Sequence, residues 1–118
     1  MTGGNSSKNH FLQLVTSTQP KQRHALLKTM CHDQLKYICE IMLNFLKETF
    51  QIPTHIKRKL APYKSLIRFL ADKAVSWARK KNFLGINNNH SVLGRILKHL
   101  LKYIENNEEI HLTHTREV

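Results

Sequence analysis

Apolar side chains recur along this chain at spacings of three and four. The longest run, from about Asp33 to Phe50, sets Leu35, Ile38, Cys39, Met42, Phe45 and Leu46 on one side of a helix. A second run starts near Asn89 or Ser91 and reaches about Glu105. It gathers Val92, Leu93, Ile96, Leu97, Leu100, Leu101 and Ile104 into a broad stripe, with Arg95, Lys98, His99 and Lys102 facing the other way. Elsewhere the pattern is shorter. Phe11, Leu12, Leu14 and Val15 predict a helix ending near Ser17, and Pro20 suits the first turn of another across Lys21 to Thr29, lined by Ala25, Leu26, Leu27 and Met30. Gln51, Ile52 and Pro53 break the long helix, and Thr54 is placed to cap the next, whose Ile56 and Leu60 interleave with Lys57, Arg58 and Lys59. Pro62 opens a further helix to about Lys73 that buries Leu66, Ile67 and Leu70. Ser76 is positioned to cap a last short piece through Trp77, Phe83 and Leu84, which stops at Gly85 before the polar connector Asn87, Asn88 and Asn89. No run alternates with period two, so strands are not expected.

These elements imply an all-α fold: a compact single domain of about five or six helices over residues 11–105. It follows a Gly/Ser/Asn-rich segment, 1–10, expected to be disordered, and precedes an acidic tail, 106–118, expected to be mobile. A chain of 118 residues, 41% apolar, suffices for one core and not for two independent ones.

Charge changes the picture. The formal net charge is +11, and it is segregated: residues 51–104 hold twelve Lys and Arg against the lone acid Asp72. Cations without acidic neighbours face solvent or a ligand, and self-repulsion on this scale favours a polyanionic partner. The candidate phosphate contacts are Lys57, Arg58, Lys59, Lys64, Arg68, Arg79, Lys80, Lys81, Arg95, Lys98 and Lys102, expected to form one wide cationic face. Such contacts are steeply salt-dependent and largely indifferent to sequence. The plainer use of the same charge is solubility. The two tripeptide clusters, Lys57-Arg58-Lys59 and Arg79-Lys80-Lys81, also have the form of short nuclear-import signals. Trp77 adjoins the second cluster, and its helical spacing from Phe83 and Leu84 predicts a core anchor rather than a base-stacking platform. Around Ala61 and Pro62 no glycine-containing turn joins two well-defined helices, so base-specific reading by a helix-turn-helix is not expected.

Other chemistries find less support. Cys31 and Cys39 are expected to be buried free thiols. The N-terminus lacks an apolar run of signal-peptide length, so a reducing compartment and no secretion are expected. The apolar runs are too interrupted for a membrane span. His111 with His114, and Cys31 with His32, do not have the paired spacing of a closed zinc site, so no metal or cofactor is expected and the histidines are read as exposed and titrating. Asp33, Glu40, Glu48 and Asp72 are scattered, and no glycine loop cradles a phosphate, so no catalytic residue is assigned and the chain is not expected to be an enzyme. The cationic helix from Val92 to Ile104 also suits a homo-oligomer, an acidic protein partner or an anionic membrane surface. Closing the core is its simpler use, and a membrane role is not expected.

Arg23, His24, Ala25, Leu26, Leu27, Lys28 and Thr29, then Gln34-Leu35, Glu40-Ile41 and Asn44 to Leu46, continue into Lys57 to Leu60, Tyr63-Lys64 and Ile67 to Ala71. Over about residues 20 to 84 this pattern resembles a family of small basic proteins encoded by polinton-like and adintovirus-like DNA viruses and related mobile elements of animal genomes. Members of that family often continue into a glycine-rich apolar tail, where this chain has Asn87 to Asn89 and a cationic helix. The resemblance implies a viral or transposon context in which double-stranded DNA is packaged. The expected function is therefore sequence-independent DNA binding, as a virion core or genome-condensing protein of the host nucleus or virion. The alternative is a capsid-associated interaction module whose basic helix meets an acidic protein or anionic membrane.

Overall fold

A computed structural model describes residues 3–49, 51–86 and 88–106, with side chains described between 10 and 104. The chain is all-helical: α1 (Gly3–Ser17), α2 (Pro20–Thr29), α3 (His32–Leu46), α4 (Thr54–Leu60), a 3-10 turn (Ala61–Tyr63), α5 (Lys64–Ala71), α6 (Trp77–Leu84) and α7 (Asn89–Asn106). No strand occurs among the described residues. Among the described residues the helices form the compact all-α domain that was expected. The expected acidic tail beyond Asn106 lies outside the described residues.

Helix α1 begins at Gly3, well ahead of Phe11, and so takes in a stretch expected to be disordered. Phe11, Leu12 and Val15 are buried and hold the helix against the core. Once a helix is nucleated, each preceding residue adds a backbone hydrogen bond without a new nucleation cost. At its other end α3 stops at Leu46, short of the expected Phe50. Glu48 takes a left-handed φ of 60°, Thr49 N–H donates to the Asn44 carbonyl at 3.0 Å, and Glu48 N–H donates to Phe45 at 3.1 Å. This is a Schellman closure with glutamate where glycine is usual, so composition hid it. The Thr49 hydroxyl reinforces the closure by donating to both the carbonyl and Oδ1 of the buried Asn44, each at 3.0 Å. The expected Thr54 cap is not formed. Pro53 occupies the position before α4 and Thr54 is its first helical residue. Ser76 does cap α6, accepting from Arg79 N–H at 3.2 Å.

Packing falls into two neighbourhoods. Helix α3 lies chiefly on α5, while α7 lies across α1 and α2; α6 touches α2, α3 and α7 and links the two. The apolar stripe of α7 is spent on this core, with Leu93, Ile96, Leu97, Leu100 and Ile104 fully buried. Truncating any one of them to alanine should cost about 2–5 kcal/mol. Gly94 sits within that stripe, although glycine in mid-helix costs roughly 1 kcal/mol against alanine. A Cβ at Gly94 would lie 2.7 Å from Arg23 Nε, so the glycine makes room for that guanidinium.

Candidate nucleic-acid interface

The eleven sequence-assigned cations are carried by α4, α5, α6 and α7, and the structure treats them unequally. Arg58, Lys59, Lys64, Arg68, Arg79, Lys81, Arg95, Lys98 and Lys102 are exposed. Lys57 is half-buried and meets Glu48 at 3.3 Å, the single ion pair among the described residues. It shares a shallow depression with Lys64 at the junction of α3 and α4. The guanidinium of Arg79 reaches back 5.9 Å from the Phe69 ring of α5, and Phe69 in turn packs on Phe83 at 4.6 Å. Lys102 lies 5.7 Å from the Tyr103 ring.

The two tripeptide clusters lie on α4 and α6, and both helices adjoin α5: α4 through the 3-10 turn, and α6 through Arg79 and Phe83 against Phe69. One expectation needs correction. Lys80 is not a surface cation. Only 2% of it is exposed, because α6 turns this residue inward together with Leu84, one helical turn further on. Its ammonium lies 4.7 Å from the centre of the Trp77 ring.

Trp77 is itself a correction, being 40% exposed rather than a core anchor. It shares the inward side of α6 with Lys80 and Leu84, but as the first residue of the helix it overhangs the end of the core. His32, at the start of α3, meets the indole in a T-shaped arrangement at 5.0 Å. Two concavities adjoin Trp77. One, of about 370 Å³, is lined by Lys36, Cys39, Leu43, Leu70, Lys73 and Lys80, with Glu40, Ala71, Val75 and Ser76 completing the wall. The other, of about 200 Å³, runs past Cys31, His32 and Lys81. Lys81 also borders a third depression with His24 and Lys28 of α2. Lys28, Lys36 and Lys73, which sequence reasoning passed over, thus join α6 in one cationic neighbourhood. Their contribution had no sequence signal, since each is an isolated lysine in its own segment.

The cysteines divide. Cys39 is buried and Cys31 exposed, contrary to the expectation of two buried thiols, because Cys31 precedes the first turn of α3. Burial pushes the Cys39 thiol up from 9.0 to about 11, with Lys80 pulling it down and Glu40 pushing it up by smaller amounts, so it stays protonated at neutral pH.

Three histidines also depart from the exposed reading: His24, His90 and His99 are half-buried, and the ring centroids of His24 and His90 lie 5.0 Å apart. His24 Nε2 donates to the Gly85 carbonyl at 3.1 Å. His90 has Nδ1 buried without a hydrogen-bond partner, and desolvation, then His24 and Arg23, hold its pKa below the usual histidine value. Beside them Arg23 bridges three helices. Its Nε donates to the Val15 carbonyl at 2.7 Å and its NH2 group to the Thr18 carbonyl at 2.9 Å, closing the end of α1, while it packs against Gly94 of α7.

Among the described residues no group of three His, Cys, Asp or Glu side chains could hold a metal ion, and no helix is long and apolar enough to cross a membrane. His111 and His114 lie outside the described residues. No family model, curated protein or solved structure matches this chain.

Proposed function

We propose that this protein is a non-catalytic, sequence-independent nucleic-acid-binding protein that contacts phosphates through exposed cations, with double-stranded DNA as its main ligand. The observation that carries this reading is the imbalance of the surface: nine of the assigned cations are exposed and, among the described residues, only Lys57 has a carboxylate partner. A polyanion relieves the resulting repulsion and releases its own condensed counterions. The cations extend over four helices, which suits a protein that coats or condenses a genome. The resemblance to small basic proteins of DNA viruses and mobile elements supports the same role, in a virion core or a host nucleus.

Binding to random-sequence duplex DNA, followed at several salt concentrations, tests this reading. Wild type should bind tightly at low salt with a steep salt slope. A variant neutralised at Lys57, Arg58, Lys59, Arg79 and Lys81 should bind more weakly with a shallower slope, each lost phosphate contact reducing it by about 0.9. Absence of duplex binding at low salt would overturn the proposal.

A further inference from the structure

Lys80 is the anomaly of the molecule. A lysine withdrawn from water is ordinarily paired with a carboxylate or hydrogen-bonded to fixed acceptors, because an isolated buried charge is costly. Lys80 is 98% withdrawn, and among the described residues no carboxylate pairs with it; its ammonium lies 4.7 Å from the centre of the Trp77 ring, a cation–π contact. It lines the cavity of about 370 Å³ whose rim carries Lys36 and Lys73. Three lysines there face one acid, Glu40, so the cavity is electropositive. Its floor, with Leu43 and Leu70, is apolar. A ligand that satisfies this wall has an anionic group for Lys80 and a flat apolar body for the indole.

Taking the protein to be a nucleic-acid binder, as above, we infer that this cavity receives an unpaired nucleotide of a single-stranded nucleic acid, its base stacked on Trp77 and its phosphate held by Lys80 with Lys36 and Lys73. Trp77 stands between this cavity and the one leading past His32 to Lys81, which continues toward Lys28. A strand crossing the indole therefore meets cations on both sides, the arrangement by which proteins hold single strands without reading their sequence. A paired base offers no free face to the indole, so the site discriminates against intact duplex. The exposed cations elsewhere make no such distinction.

Trp77 is the sole tryptophan, so its fluorescence reports on the site directly. Full-length protein would be titrated with a twelve-nucleotide oligothymidylate, with a duplex of equal length and with thymidine monophosphate. In parallel, the anisotropy of end-labelled strands measures binding independently of the indole. The single strand should quench Trp77 emission as it binds, and the duplex should bind with little quenching. Trp77→Ala should weaken single-strand binding about tenfold while leaving duplex binding unchanged, and Trp77→Phe, which keeps an aromatic face, should retain most of the affinity. Far-ultraviolet circular dichroism confirms that both variants are folded. Saturable single-strand binding without quenching, an equal loss of both affinities in Trp77→Ala, or equal affinity for the monophosphate would overturn the assignment while leaving salt-dependent duplex binding intact. Failure to bind either strand or duplex would overturn it together with the nucleic-acid reading.

Discussion

Arg23 and Lys80 are both cations that the fold draws away from solvent, and they end in opposite conditions. Arg23 lies at the seam of α1, α2 and α7, where two backbone carbonyls accept from it and Gly94 leaves room for its side chain. Lys80 lies between α3 and α6, beside a cavity and against an aromatic ring, without a carboxylate partner among the described residues. A withdrawn cation whose donors are satisfied by the chain itself contributes to stability. One left facing a cavity costs stability and is available to a ligand.

The largest effect that would break this contrast is at Arg23. Arg23→Met strips the donors from the Val15 and Thr18 carbonyls and should destabilise the protein by about 2–3 kcal/mol, the range for a charged hydrogen-bonding group, read from urea unfolding. Gly94→Ala should act on the same seam without touching the charge. Its Cβ must displace the guanidinium, and we expect a loss of about 1–2 kcal/mol despite alanine's better helix propensity; a gain would show that Arg23 yields freely. On the other side, Lys80→Met removes an unpaired cation and keeps the aliphatic stem, so stability should rise by about 1 kcal/mol while single-strand affinity falls. Equal destabilisation by Arg23→Met and Lys80→Met would erase the distinction.

The smallest expected effect is a pH dependence at the Arg23 seam. A histidine whose folded pKa is lowered is favoured in its neutral form by the fold. The stability it contributes is present above its ordinary value of 6.5 and is lost as pH falls below that value toward the lowered one. His24 and Arg23 face His90 and oppose its protonation. His90→Asn should therefore flatten part of the stability loss as pH falls below 6.5, measured as Tm against pH, and an unchanged profile would remove His90 from the acid response.

The helices of this protein are legible because their apolar spacing is. The α3 and α7 stripes place buried side chains in register, and Pro20 and Ser76 mark helix starts where the structure has them. The end of α3 was not legible, because a left-handed glutamate and a threonine folding back onto Asn44 replace the usual glycine. The closeness of Gly94 to Arg23 was not legible either, because the two residues meet only when α2 packs on α7.

The site divides in the same way. Sequence alone determined that the surface is cationic, since twelve Lys and Arg with one acid in residues 51–104 cannot be neutralised within that stretch. Which cations remain on the surface was decided only by the tertiary structure. Helical periodicity gives the angle at which a residue leaves its helix, and so put Trp77, Lys80 and Leu84 on one side of α6. It does not give the depth at which the core ends along that side. That depth is set by α3 and α5, which bury Lys80, leave Trp77 overhanging, and bring Lys36 and Lys73 to the cavity between them.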